Sequence, residues 1–252
     1  MTPSTPKILA SPPIYPDEDF CPSLHQTLHR YFTGWYPCPL GETQDTPNGW
    51  RKFSHRGIQW LDLKKIHIGA KQKRYVFSPK FQIRYNTAFK EVVAGCADIT
   101  RDGHTWITPS LVDLYCTLRK LGFAHSFECW QDGQLVGGAF GIQIGGMMTI
   151  ESMFHRVDHA SKAAYVQTLL RLVERGFKLL DVNVAVGHFT RFGAETVPQW
   201  QFEEYLRDVR NLSPSLADEF PAPVLPLSVK LHIPFSRVVG AVTKRLRLGS
   251  KR

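Results

Sequence analysis

The sequence lacks most of the features that mark a membrane, secretory or metal-bound protein. No run approaches the roughly 18–20 apolar residues that a membrane-spanning helix requires, so no such helix is expected. The first twenty residues are rich in proline and acidic side chains and contain no apolar stretch of the secretory-signal kind, so export by that route is not expected either. The five cysteines, Cys21, Cys38, Cys96, Cys116 and Cys129, form no C-x-x-C pair, and an odd, scattered set reads as reduced thiols in the cytoplasm. The ten histidines include no H-E-x-x-H and no group beside a cysteine pair, which argues against a dedicated zinc site. A P-loop and a dinucleotide fingerprint are also missing. Gly137-Gly138 and Gly145-Gly146 read as hairpin and bulge glycines rather than phosphate cradles.

What remains is an ordinary folded chain of 252 residues, with 43% apolar and 21% charged side chains, which excludes wholesale disorder and a fibrous repeat. Its net charge of +9 suits a polyanionic partner such as nucleic acid, or simply a basic soluble surface. Residues 1–22 carry six prolines and read as an extended leader. A short helix is expected over residues 24–32, followed to about residue 90 by short extended runs, among them Tyr75-Val76-Phe77 and Phe81–Tyr85, forming a small α+β N-terminal domain (23–90).

From residue 91 to about 210 the pattern is clearer. Leu111, Leu114, Tyr115, Leu118 and Leu121 trace one face of a helix that begins at Pro109 and closes at Gly122. Residues 126–130 and 134–144 flank Asp132-Gly133, a turn pair that favours a two-residue hairpin, and Gly145-Gly146 turns the chain again into 147–152. A second helix over 161–175 ends at Gly176, and 177–185 reads as a further strand lying beside the meander after a helical crossover. This order of helix, meander, helix and strand resembles the GNAT-type acyltransferases, so the expected class is α+β with a GNAT-like mixed sheet. The glycine-rich turn with which such enzymes grip the coenzyme A pyrophosphate is absent before Ser161. After Glu219 there is no acidic residue, and a basic tail (211–252) interleaves Lys230, Arg237, Lys244, Arg245, Arg247, Lys251 and Arg252 with apolar positions.

Polar residues at strand positions carry the chemical signal. Alternation in Leu179–Val184 places Asp181 and Asn183 on one face. Glu151 sits between apolar neighbours in Thr149–Phe154, where an acid is costly unless it pairs or binds something. Taken singly, each suits a sheet-edge polar group or a salt bridge to an arginine such as Arg156.

Taken together they belong to an ordered series: Gly95-Cys96-Ala97, Thr105–Pro109, Leu121–Ser126, Leu135–Gly138, Glu151-Ser152-Met153-Phe154, Ala160-Ser161-Lys162 and Asp181-Val182-Asn183. The series closely resembles the leucyl/phenylalanyl-tRNA–protein transferase family from about Gly95 to Tyr205. The resemblance implies transfer of leucine or phenylalanine from its tRNA to the N-terminal amine of a protein beginning with arginine or lysine, which marks that protein for degradation. It implies Asp181, Asn183 and Glu151 as catalytic residues, and Trp106, Ser152, Met153, Phe154, Thr168 and Leu172 as substrate-binding residues. For Trp106, stacking on the terminal adenosine and filling the core stand level. Aminolysis of an activated ester needs positioning, a proton acceptor and oxyanion stabilisation, so no cofactor is expected. The partners implied are aminoacyl-tRNA and an acceptor protein, with the enzyme a monomer.

The chain departs from the family at two places. Asn183 stands where the family has glutamine, one methylene longer. Tyr31–Pro39 is similar to the family's aromatic and proline segment, but the glycine-rich stretch before it is missing. Only Gln59-Trp60-Leu61-Asp62 stands near the usual tryptophan-tryptophan-serine-proline motif. A compensating RNA contact through Lys244, Arg245 and Arg247 is expected. Two other readings are tRNA-dependent aminoacylation of a small peptide or amine, and a catalytically weakened RNA- or degron-binding protein.

Overall fold

The computed structural model describes residues 23–37, 49–98, 105–185 and 187–216. The proline-rich leader and the tail beyond residue 216, with Lys244, Arg245 and Arg247, lie outside them. In chain order the elements are α1 (Leu24–Phe32), β1 (Tyr36–Pro37), β2 (Trp50–Arg51), β3 (His55–Trp60), α2 (Ala70–Val76), β4 (Gln82–Tyr85), α3 (Phe89–Ala97) and α4 (Pro109–Lys120). They continue with β5 (Ala124–Gln131), β6 (Gln134–Ile144), β7 (Met147–Thr149), β8 (Ser152–His155), α5 (Ala160–Glu174), β9 (Leu179–Asn183), α6 (His188–Arg191), β10 (Glu195–Pro198) and α7 (Gln199–Val209).

Local chemistry explains the best-defined elements. At α4 the Thr108 hydroxyl accepts from the Leu111 N–H, Pro109 opens the helix, and Leu111, Leu114, Tyr115 and Leu118 are all buried. The β5–β6 hairpin turns at Asp132 (φ 51°) and Gly133 (φ 76°), as that pair predicts. Glu128, fully buried on β5, accepts from the backbone N–H groups of Thr87 and Ala88 at 2.7 and 2.8 Å, which anchors the start of α3.

Seven strands run in the order β10-β3-β9-β7-β6-β5-β4, with β8 also paired to β6. β9 is parallel to β7, as the helical crossover through α5 requires, and the other pairs are antiparallel. The sheet is therefore mixed and the class α+β, in the GNAT-like arrangement of meander, crossover helix and parallel strand. β3 and β4, both from the segment before residue 90, belong to this same sheet.

Each face of the sheet carries its own core. On one side Ile58, Phe140, Ile142, Ile144, Met147, Phe154 and Leu179 pack with residues of α1, α3, α4 and α7. On the other, Phe127, Ala139, Met148, Ile150, Leu180 and Val182 pack with α2 and α5. The period of two along β6, β7 and β9 sorts these sets.

Three expectations change. Tyr75 and Val76 are in the last turn of α2 rather than extended, because Lys71, Gln72, Lys73 and Arg74 favour helix and Val76 is buried in the core shared with α5. The expected strand over 147–152 is broken in two. β7 and β8 both pair with β6, but their registers differ by one residue, which leaves a bulge at Ile150-Glu151 opposite Gly141. β9 is also irregular, with a register shift against β3 between Gly57 and Ile58, so strict alternation fails at Val182-Asn183.

Two glycines permit these bulges. A Cβ on Gly141 would lie 1.8 Å from the Thr149 carbonyl oxygen, and one on Gly57 would lie 2.2 Å from the Ala185 nitrogen. Backbone is in the way at both sites and cannot rotate aside, so Gly57→Ala and Gly141→Ala should each cost about 1–3 kcal/mol, read as a lower denaturant midpoint at unchanged m-value.

Candidate active site

The two bulges lie side by side and bring the strand acids together. The Ile150 N–H donates to the Asp181 carbonyl at 2.8 Å, and the Asn183 side-chain amide donates to the Ile150 carbonyl at 2.8 Å. Past this point β8 stays on β6 while β9 stays on β3, so the sheet opens between β8 and β9. Glu151 stands in the break between β7 and β8, and Asp181 on β9 beside it.

Asp181 is wholly buried and immobilised. Arg56, 1% exposed on β3, donates through Nε to both carboxylate oxygens at 3.2 Å and through Nη2 to Oδ2. The Asn183 backbone N–H adds a bond to Oδ1 at 2.8 Å, an Asx turn. The guanidinium is also caged by aromatic rings, with Tyr36, Phe53 and Phe202 centred 5.1, 5.5 and 5.0 Å from its central carbon. Tyr36, from the Tyr31–Pro39 segment, stacks on Phe53 at 4.3 Å. Arg56 Nη1 is buried without a partner.

Glu151 has different surroundings. Its Oε1 accepts from the Thr149 hydroxyl at 2.6 Å, and that hydroxyl accepts from the Ile142 N–H at 2.8 Å. Burial pushes the Glu151 carboxyl up to about 7. The nearby Thr149 and Tyr31 hydroxyls pull it down, the charge of Asp181 adds to the rise, and Arg56 opposes it. Tyr31 on α1 and Tyr115 on α4 lie against Glu151 and against one another. Neither hydroxyl completes a hydrogen bond of normal geometry. Burial and the neighbouring carboxylate raise both tyrosines well above their ordinary range, so they stay protonated.

The regular alternation expected of Asp181 and Asn183 is interrupted at Asn183. Its φ of 60° is left-handed, a conformation asparagine tolerates better than most side chains. Its Nδ2 ties down the bulge carbonyl, while its buried Oδ1 has no hydrogen-bond partner.

The remaining sequence-derived residues divide between the two faces. Met153 packs on the α2–α5 side, and Thr168 and Leu172 of α5 are buried there, with the Thr168 hydroxyl unpartnered. Phe154 is buried in the opposite core, Trp106 packs against that core, and Ser152 is half-buried on β8. Trp60, Leu61 and Asp62 line a separate groove of about 580 Å³ with Val173 and Phe177.

Arg156 is not the partner of either acid. It donates to the Leu135 carbonyl and lies over the Phe154 ring. Arg56, Tyr31, Thr149 and Tyr115 were missed by sequence reasoning. A buried aspartate requires a cation, but nothing local points to one 125 residues away. Tyr115 shows in the sequence only as a core position of its helix. Among the described residues no cluster of three or more His, Cys, Asp or Glu side chains is arranged to hold a metal ion, and no helix is long and apolar enough to cross a membrane. Cys96, Cys116 and Cys129 form no disulfide.

Two buried carboxylates of unlike environment at an opening in a mixed sheet form a site suited to acyl transfer, where one group holds charge and another exchanges a proton. The chain belongs to the leucyl/phenylalanyl-tRNA protein transferase family, whose model matches residues 60–207. Its relatives include leucyl/phenylalanyl-tRNA–protein transferases from Salinibacter ruber, 37% identical over 78% of this chain and 83% of that one, and from Gloeobacter violaceus, 36% identical over 71% and 90%. Another, from Myxococcus xanthus, is 39% identical over 69% and 74%. Among solved structures, FemX matches with a TM-score of 0.49 at 10% identity over 66% of this chain and 64% of that one. A GCN5-related N-acetyltransferase from Kribbella flavida matches at 0.36 and 12% over 58% and 55%. Neither likeness bears on function.

Two consequences can be measured. Arg56→Met leaves Asp181 charged and buried, and should cost about 3–5 kcal/mol, whereas the Arg56→Met/Asp181→Leu pair should recover most of that loss in a denaturant titration. Glu151 has a folded-state pKa raised from 4.5 to about 7. The stability it contributes is therefore complete below pH 4.5 and is lost as pH rises through 7. Glu151→Gln should gain stability relative to wild type across that window, with a level difference above it, as read from denaturant midpoints at a series of pH values.

Proposed function

We propose that this protein transfers leucine or phenylalanine from aminoacyl-tRNA to the N-terminal α-amine of a protein that begins with arginine or lysine, creating a degradation signal. Family membership across residues 60–207 carries this reading, and the grouping of Glu151, Asp181 and Asn183 at one opening in the sheet supports it. The aminoacyl ester is already activated, so the site has to hold it, bring up the amine and move a proton.

On this reading the ester lies at the opening between β8 and β9. Its amino-acid side chain turns toward Met153 and Thr168, on the α2–α5 side. Leu172 supports that pocket from within the core on that side, and Phe154 backs the sheet from the opposite face. Trp106 seats the terminal adenosine, with Ser152 at the edge of the opening. Asp181 orients charge around the attacking amine, and Asn183 offers its unpartnered Oδ1 as an acceptor for the amine's N–H. The enzyme works as a monomer in the cytoplasm, a compartment that suits cysteines outside disulfides. Lys244, Arg245 and Arg247 contribute phosphate contacts to the tRNA.

The test is incubation with radiolabelled Leu-tRNA or Phe-tRNA and a peptide bearing N-terminal arginine. Wild type should transfer label to the peptide, and Asp181→Ala should reduce transfer by at least about a hundredfold. tRNA binding without transfer to any peptide would instead identify a binding protein of this fold. Truncation after Val229 should weaken tRNA binding and flatten its salt dependence by about 0.7–0.9 in the log–log slope for each phosphate contact removed. An unchanged slope would remove the tail from the tRNA site.

A further inference from the structure

We propose that Glu151, and not Asp181, accepts the proton released when the amine attacks, and that Tyr31 and Tyr115 position it for that exchange; this rests on the transferase reading above. The argument begins with what each acid has left to offer. Asp181 is wholly buried, its two oxygens receive four donated contacts from Arg56 and Asn183, and its counterion belongs to the neighbouring strand. A proton placed on Asp181 would leave the Arg56 charge buried and uncompensated, the costly half of a broken ion pair. Asp181 is thus committed to its ion pair.

Glu151 is held differently. It reaches the opening in the sheet from the bulge and keeps 9% of its surface exposed. Its one direct bond of normal geometry comes from the neutral Thr149 hydroxyl. The groups facing it are Tyr31 from α1, Tyr115 from α4, Thr149 from its own strand, and the Arg56–Asp181 pair from β3 and β9. The Arg56 charge is matched by Asp181, and the tyrosines remain neutral donors. Gaining or losing a proton at Glu151 therefore breaks no ion pair, and the tyrosine hydroxyls can turn toward the carboxylate when it is charged and away when it is not.

The step balances. The amine nitrogen attacks the ester carbonyl and forms the C–N bond. Its proton passes to the Glu151 carboxylate as charge gathers on the carbonyl oxygen. When the tetrahedral intermediate collapses, the C–O bond to the terminal ribose breaks and the departing oxygen takes the proton from Glu151. The products are an amide and an uncharged tRNA hydroxyl, with Glu151 ionised again.

The pH dependence of kcat/KM for transfer to an Arg-initiated peptide tests this. The free α-amine, with a pKa of about 7.7–8.0, imposes one ionisation on any mechanism. Wild type should show a second, near 7, so that below both the rate falls about a hundredfold per pH unit rather than tenfold. Glu151→Gln should lose the second ionisation, keep the amine's, and react about 10²–10⁴ times more slowly on the plateau. Tyr31→Phe removes a hydroxyl that faces the carboxylate and can turn toward its ionised form, and should move the second ionisation upward by about one pH unit while leaving the amine's in place. A merely structural role for Tyr31 would lower the rate without moving it.

Difference infrared titration of the carboxyl C=O band, wild type against Glu151→Gln, reads the same ionisation without turnover. The second ionisation persisting in Glu151→Gln but vanishing in Asp181→Asn would assign the proton to Asp181 and overturn the proposal. An unmoved ionisation in Tyr31→Phe would overturn the part assigned to the tyrosines. If wild type transfers nothing from either tRNA, the transferase reading itself fails. If it transfers with a single ionisation, only this inference does.

Discussion

The buried contact between Arg56 and Asp181 is the constraint on which the rest of the site depends. Two full charges removed from water are tolerated only where geometry and hydrogen bonding are nearly complete. Here the strands that carry them pair side by side, a glycine next to Arg56 lets β9 bulge inward, and aromatic rings close around the guanidinium. Through the Asx turn the same aspartate sets the backbone of Asn183, and Asn183 in turn holds the Ile150 carbonyl. The bulge that displays Glu151 is therefore fastened to the ion pair through two hydrogen bonds in series.

This arrangement gives two acids unlike characters without a metal ion or cofactor being invoked. One is surrounded by donors and paired with a buried guanidinium; the other is desolvated among neutral hydroxyls, which pushes its carboxyl up to about 7. The opening of the sheet adds a second division. Tyr31, Tyr115 and Phe202, which surround Glu151 and Arg56, belong to the core of α1, α4 and α7, whereas Met153 packs with the core of α2 and α5; in the proposed transferase the ester and its side chain would thus be served by opposite faces.

Most of the central fold was legible in the sequence, because α4, the β5–β6 hairpin and α5 each carry their own signals: an opening proline, an Asp-Gly turn, and closing glycines. Glu151, Asp181 and Asn183 were legible as polar residues in apolar strands. What could not be read was whatever depends on strands meeting. Arg56 looks like any surface arginine until β3 is laid against β9, and the break at Ile150-Glu151 appears only when two registers on β6 are compared. Asn183 reads in the sequence as a shortened glutamine. Its positive φ gives that shorter amide a role in backbone geometry that a residue-by-residue comparison does not contain.

The position of β3 has a consequence for how the protein is made. Both of its sheet partners, β9 and β10, are encoded more than a hundred residues later, so on the ribosome this strand emerges long before either exists. It must wait with both edges unpaired, a state that invites pairing with other chains. The arginine, histidine and glutamine along it blunt that hazard, since charged and polar side chains on a free edge disfavour self-association. Arg56 thus serves the nascent chain by staying in water, and the finished chain by leaving it.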